Sequence, residues 1–267
     1  MLPTPAPFPP AAACDAALLL APGERVCISV VSHQQLALVK NLLDDLARHC
    51  RETVEVILTL NVDEPLPFGT GDFGYPLEVV RNAAPRGFGA NHNAAFGLCR
   101  RKTFCVLNPD IVLTADPFPA LLAELARGRV GVVAPRIVNA EGHTEDNARR
   151  FPTLWSLGAK ALRRTRRLDY EIGTAALSPD WVAGMFMLFT AEAFRTVAGF
   201  DENYYLYYED VDICARLRAA GYDVRLAPGA LAVHHARRAS HHRWLHRAWH
   251  LKSIMRYFLT RGRSAAR

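Results

Sequence analysis

Between Asp201 and Asp212 the chain sets four carboxylates, Asp201, Glu209, Asp210 and Asp212, among four phenols, Tyr204, Tyr205, Tyr207 and Tyr208. Carboxylates resist desolvation unless something pairs with them, so acids rimmed by rings are costly in an ordinary core. The composition suits a site that takes a proton from a sugar hydroxyl: a carboxylate base with aromatic faces for the ring. A solvated acidic helix start is the plain alternative, because Asp and Glu favour the positive end of a helix dipole.

Three further clusters could join such a site. Asn108-Pro109-Asp110 follows a short apolar run. A carboxylate at the carboxyl end of a central strand is placed to hold a hard cation on a diphosphate, although the same tripeptide also makes an ordinary turn. Arg86-Gly87-Phe88-Gly89-Ala90-Asn91 stands before a helical stretch. Glycines there let backbone amides approach a phosphate, and a helix start favours anions. The stretch imitates a dinucleotide-binding pattern, but His92 occupies the third glycine position, which argues against that fold. His234 and His235 precede Arg237, Arg238 and Ser240. A histidine there could add a metal ligand and the arginines could clamp a diphosphate, or the segment is a solvated basic face.

The elements that must position these residues follow from periodicity. Val26–Val31 (VCISVV) is a continuous β-branched run, as in a strand buried on both faces. Leu36, Val39, Leu43 and Leu46 fall at helical spacing. Val54–Leu60, Leu77–Arg81, Thr103–Leu107 and Val130–Ala134 read as further strands, with helices at Asn91–Arg100 and Phe118–Ala126. This alternation predicts an α/β fold, a mostly parallel central sheet flanked by helices. Arg136–Pro179 reads as a connector holding the basic cluster Arg163–Arg167. Trp181–Phe189 resumes as a strand, Val211–Ala220 as a helix stopped by Gly221, and Val224–Ala227 as a short strand. The last helix is expected from His241 to Leu259, with Trp244, Ala248, Leu251, Met255 and Phe258 on one side. Either that helix lies on an anionic leaflet or its apolar side packs on the domain. The expected division is a loose Pro/Ala-rich arm at 1–24, one domain at 25–240 and the basic amphipathic helix at 241–267.

Half of the 267 residues are hydrophobic, enough for a full core, and mean hydropathy is +0.01. The 32 basic and 26 acidic residues leave a charge of +6, which suits an anionic ligand, a phosphate-bearing substrate or an anionic membrane surface. No nucleic-acid-reading module is recognisable, so nucleic acid is not expected as a partner. The six cysteines show no CxxC or zinc spacing and read as small buried hydrophobes in a reducing compartment. The start lacks a positive n-region and Asp15 interrupts its apolar run, so no secretory signal is expected. No apolar run reaches the roughly 18 residues of a spanning helix.

Taken in order, the strings VCISVV, RGFGANHN, LNPD, WVAGMFMLF, GFDENYYLYYEDVDICARLRAAGY and AVHHARRAS resemble the family-2 inverting glycosyltransferases of the GT-A type, especially the rhamnosyltransferase-like branch. The resemblance runs from about Val26 to Ser240. It implies the GT-A fold and transfer of a sugar from a nucleotide-diphosphate donor, with dTDP-rhamnose the nearest expectation. The acceptor would be a glycan or polyprenyl-linked glycan in bacterial cell-surface polysaccharide synthesis. A divalent cation, Mg or Mn, would be held by Asp110 and His234, with Asn108 standing where the Asp-x-Asp-like motif has its first acid. By the same resemblance Asp210 is the catalytic base, Glu209 supports it or meets the acceptor, and Trp181 and Gly184 shape the acceptor side. Donor contacts fall on Ser32, Asn61, Arg86, Gly87, Gly89, Asn93, Asn108 and Arg237. One departure is Leu60-Asn61 in place of an Asp-Asn pair, which leaves Asn61 and Asp63 to serve the base or ribose. Such a protein is expected in the cytoplasm or peripherally on the inner face of the membrane. Two rivals are a non-catalytic sugar-nucleotide-binding protein on the same fold and a metal-dependent phosphohydrolase using similar acids.

Overall fold

Alternation along each strand sorts the core into two layers. β1 (Val26–Ser32) sends Val26, Ile28 and Val30 to one face of the central sheet and Cys27 to the other, as the twofold side-chain repeat of a strand requires. The computed structural model describes residues 24–153, 155, 168–235 and 243–264. Within them β1 is followed by α1 (Leu36–His49), β2 (Val54–Leu60), β3 (Leu77–Arg81), α2 (Phe88–Leu98) and β4 (Thr103–Leu107). Next come β5 (Ile111–Val112), α3 (Phe118–Leu125), β6 (Val130–Val138), β7 (Ala148–Arg149) and β8 (Trp181–Val182). The chain continues through β9 (Phe186–Thr190), α4 (Ala191–Thr196), α5 (Glu209–Ala219), β10 (Asp223–His234) and α6 (Arg243–Ser264).

The main sheet runs β3-β2-β1-β4-β9-β6-β10-β5. β3, β2, β1 and β4 are parallel, as are β6 and β10, while β9 lies antiparallel between β4 and β6, and β5 antiparallel on β10. α1 and α3 cover one face through Val39, Leu43, Leu46 and Leu121. α2, α4 and α5 cover the other through Ala95, Phe194, Ile213 and Leu217. Cover on both faces is why β1, β2 and β4 read as mostly apolar runs. It is the α/β class that the sequence predicts.

The topology gathers distant residues along one edge. Ser32 pairs with Leu60 and Leu60 with Arg81, so β1, β2 and β3 end together. β9 runs the other way and starts at Phe186 opposite Leu107, which brings the turn before it, Ala183–Met185, to the edge where β4 ends. β10 also arrives there, with His234 paired to Ile111 just beyond that turn.

Several elements differ from expectation. The run Trp181–Phe189 is two strands, β8 and β9, because the chain turns at Gly184 and its N–H leaves the sheet for Asp210. Val224–Ala227 is only the start of the 12-residue β10, which is irregular between Ala227 and Leu231. Beyond Pro135, β6 continues to Val138 and the chain folds back so that Thr144 bridges Val138. Tyr257 and Ser253 of α6 are buried and Phe258 packs on the core, but Trp244, Leu251 and Met255 are exposed, so most of the apolar side seen in the sequence points away from the domain. The cluster Arg163–Arg167, Arg237 and the arm up to residue 23 lie outside the described residues. No described helix is long and apolar enough to cross a membrane.

Candidate active site

α5 opens with Glu209-Asp210, directly after two residues in the left-handed region, Tyr207 at φ 72° and Tyr208 at φ 71°. Such backbone in a non-glycine residue costs on the order of 1–3 kcal/mol and persists only where the surroundings enforce it. Here α6 enforces it. Tyr207 Oη shares a hydrogen bond with His246 Nδ1 at 2.9 Å, and Ser253 Oγ donates to Leu206 O at 3.0 Å. Tyr208 packs on His250 and Tyr257 with ring centroids 5.6 and 5.4 Å away. Arg256 holds the start of the loop through Nε and Nη2, at 3.0 and 2.5 Å from Asp201 Oδ2.

The bend brings Asp210 to the turn between β8 and β9. Gly184 N–H donates to Oδ2 at 3.0 Å and Val211 N–H to Oδ1 at 2.8 Å. Burial pushes the Asp210 carboxyl up, against the pull of those amides and of Arg149. Burial, and then the Asp210 charge beside it, pushes Glu209 well above its ordinary value. Glu209 is 5% exposed, and its Oε2 has no hydrogen-bond partner among the described residues. The charge of one such carboxyl opposes ionisation of the other. The amides and Arg149 favour leaving the charge on Asp210 and the proton on Glu209. A cavity of about 390 Å³ opens on this pair, with Trp181, Tyr207, Tyr208, Arg149, Arg150 and His250 in its wall. Trp181 is fixed by Nε1–H donating to Arg150 O at 2.9 Å and by the Arg149 guanidinium 5.1 Å above its ring. Arg149, Arg150 and His250 carry no sequence motif; two sit in the connector and one on the last helix.

A second cluster lies where β4 and β10 end. Asp110 Oδ2 is 3.3 Å from His234 Nε2, and His234 Nδ1 is 2.8 Å from Glu145 Oε2. The bond to Asp110, and after it the bond to Glu145, push the imidazole up to about 9 against the effect of burial. Asp110 Oδ1 is buried without a partner among the described residues. A hard cation fits this chemistry: an orphaned carboxylate oxygen beside an imidazole nitrogen whose opposite nitrogen is oriented by a carboxylate, the common outer partner of a metal-bound histidine. Among the described residues no group of three or more His, Cys, Asp or Glu converges on one point. Glu145 has no sequence signature. The fold-back after β6 delivers it, with Glu145 N–H donating to Ile137 O at 2.9 Å. Asn108 shapes the turn below, its N–H donating to Met185 O at 2.9 Å.

Apart from Arg237, which lies outside the described residues, the expected donor residues lie on or next to this edge, but most of their side chains are committed to the protein. Ser32 Oγ donates to Glu64 and accepts from Gln35 N–H at 3.1 Å. Asn61 Nδ2 donates to Arg86 O at 2.9 Å, while its Oδ1 accepts from Arg86 N–H and Asn82 Nδ2, both at 2.8 Å. Asn61 therefore pins the Arg86–Gly87 turn, and Asp63 pairs with Arg81 at 2.6 Å. Arg86 faces Glu202 at 3.6 Å. Asn93 clamps Phe200, donating to its O and accepting from its N–H, both at 2.9 Å. A Cβ on Gly87 would stand 2.8 Å from Tyr205 O, and one on Gly89 2.7 Å from Phe200 Cβ. Both glycines are thus demanded by the packing of α2 against residues 200–205, whether or not a phosphate approaches.

The family model described as Glycosyl transferase family group 2 matches residues 104–252. Rhamnosyltransferase WbbL of Escherichia coli is 29% identical over 252 residues, covering 87% of this chain and 92% of that protein. An N-acetylglucosaminyl-diphospho-decaprenol L-rhamnosyltransferase of Mycobacterium tuberculosis is 31% identical over 140 residues, 49% of this chain and 46% of that protein, so the match spans less than half of that relative. Among solved structures, the mannosyltransferase PcManGT from Pyrobaculum calidifontis, in complex with GDP-Man and Mn2+, aligns with a TM-score of 0.62 at 18% identity over 94% of this chain and 68% of that one. GalNAc-T7 with UDP, GalNAc and Mn2+ gives 0.63 at 15% identity over 80% of this chain and 44% of that one. These two likenesses concern the fold, which is that of GT-A glycosyltransferases.

Proposed function

This chain belongs to glycosyl transferase family group 2 and is a glycosyltransferase, and we propose that it moves L-rhamnose from dTDP-rhamnose to a hydroxyl of a polyprenyl-linked glycan with inversion at the anomeric carbon. The observation that carries the reading is the Asp210 carboxylate, held at the cavity wall by the Gly184 and Val211 amides beside the Trp181 ring. In this reading Asp210 accepts the proton of the acceptor hydroxyl as that oxygen attacks, and the nucleotide diphosphate departs on the opposite side. One base suffices for inversion, with no covalent intermediate. Glu209, carrying its proton, keeps a second negative charge away from the base and has an O–H to offer the acceptor.

Trp181, Tyr207 and Tyr208 give the acceptor sugar its apolar faces, and Arg149 and Arg150 suit an acceptor that carries phosphate. The printed names of two relatives, both rhamnosyltransferases, support the sugar, and the mycobacterial name supports a polyprenyl diphosphate acceptor. Asp110 and His234 would hold a divalent cation, Mg or Mn, with Glu145 fixing the imidazole. When bound, such a cation supplies positive charge to the leaving diphosphate. On the donor side, Asn61 and Asn93 act by holding the Arg86–Gly87 turn and the 200–202 loop, while Ser32, Arg86 and Asn108 line the edge.

Thermal unfolding with dTDP, UDP, GDP and CDP, each with and without Mn, tests the donor side. A nucleotide at about 100 times its dissociation constant adds roughly 2.7 kcal/mol to the native state. The reading expects a shift selective for dTDP and larger with Mn. Equal shifts for all four nucleotides, or a shift indifferent to Mn, would contradict it.

A further inference from the structure

We propose that the outer face of α6 docks on the surface of an anionic lipid bilayer while its inner face holds the active-site loop. The two faces are separated by the helical repeat. His246, Trp249, Ser253 and Tyr257 meet residues 205–208 through hydrogen bonds and ring contacts. On the opposite side Trp244, Leu251, Met255 and Leu259 are 70, 59, 57 and 68% exposed. A helix that only packs on its own domain turns its large apolar residues inward; α6 packs Ile254 and Phe258 on the core but turns Trp244, Leu251, Met255 and Leu259 out. Arg247 and Lys252 are exposed beside the stripe, and the sequence of the helix contains no Asp or Glu.

An apolar stripe between cations matches a leaflet with anionic headgroups over an acyl boundary. It does not match a second copy of itself, because two such helices would bring like charges together with no acid to offset them. The proposal stands apart from the reaction assigned above. If both hold, the wall residue His250, which α6 also carries, places the acceptor cavity near the lipid surface.

Flotation of the full chain with vesicles of phosphatidylcholine alone, or with phosphatidylglycerol added, tests this directly. Wild type should float with the anionic vesicles. Leu251→Glu with Met255→Glu should lower partitioning on the order of a hundredfold, from two apolar side chains withdrawn from the interface. Arg247→Gln with Lys252→Gln should lose about fivefold per charge on anionic vesicles only. All four residues are exposed, so the variants should keep the wild-type Tm and nucleotide binding. Wild type that stays in the soluble fraction, or a Leu251→Glu/Met255→Glu variant that floats like wild type, would overturn the proposal. A wild-type dimer in sedimentation that becomes monomeric in that variant, with no vesicle binding by either, would assign the stripe to a second copy instead and equally overturn it.

Discussion

Gly87→Ala separates a start of α2 set by packing from one set by a ligand. The added Cβ would stand 2.8 Å from the Tyr205 carbonyl oxygen and 3.0 Å from its Cα. Both are backbone atoms, and Phe88 N–H already donates to that carbonyl at 2.9 Å. The two segments cannot part without weakening that bond. Gly87 has a φ of −66°, which alanine adopts freely, so the cost is steric and not conformational. Overpacking of this kind costs about 1–3 kcal/mol, and the threatened hydrogen bond is worth about 1 kcal/mol more. At roughly 2–4 °C per kcal/mol for a domain of this size, Tm should fall by about 4–16 °C. Gly97 in the same helix is the control. A Cβ there meets nothing within 4 Å, so Gly97→Ala should raise stability by about 0.5–1 kcal/mol. Scanning calorimetry of both variants, with dTDP titrations beside it, reads the result. Gly87→Ala with a wild-type Tm but weakened nucleotide binding would refute the packing argument and return this glycine to the phosphate.

Glu145→Ala should weaken Mn binding in the presence of nucleotide by about 10–100-fold, because the imidazole of His234 loses its orienting carboxylate; unchanged affinity in calorimetry would contradict that role. Arg256→Ala should cost about 1–2 kcal/mol, after discounting for a pair that is 33% and 23% exposed, and should lower kcat more than it raises KM as the 205–208 loop relaxes. Burial raises the Asp201 carboxyl, but Asn203 and Arg256 bring it below its ordinary value. Its contribution is therefore present at neutral pH and lost as pH falls through the folded value, so the Tm gap between wild type and Arg256→Ala should close in acid. Glu209 is shifted the other way: its contribution is present at low pH and lost as pH rises through the folded value. Glu209→Gln should accordingly exceed wild type in Tm near about pH 8, with the gap closing toward about pH 4; a gap that does not change with pH would contradict the assignment.

Much of the frame was legible because it is periodic. Val26–Ser32, Val54–Leu60 and Leu77–Arg81 are strands whose alternation or unbroken apolar runs leave little choice. Candidate site residues were legible only where they stand in strings, as Asp110, Asp210 and His234 do. Glu145, Arg149 and Arg150 were not, since a hairpin after β6 and the short β7–β8 pairing deliver them from a connector without pattern. Gly184 was misread as strand interior because the need of Asp210 for an N–H donor is a tertiary fact. For α6 the sequence left two readings open, a leaflet-facing or a packed apolar side. Neither reading showed that the helix holds residues 205–208 through His246, Trp249, Ser253 and Tyr257, whose hydrogen bonds and rings grip a strained loop that no pattern announces.

The central claim is that Asp210 is the base of a sugar transfer, and the Asp210→Asn variant tests it in one comparison: labelled rhamnose transferred from dTDP-rhamnose to a polyprenyl-linked glycan, measured beside dTDP affinity. A general base contributes about 10²–10⁴-fold, so transfer should fall by at least about a hundredfold while dTDP affinity stays within about twofold. Transfer near the wild-type rate with intact nucleotide binding would contradict the account.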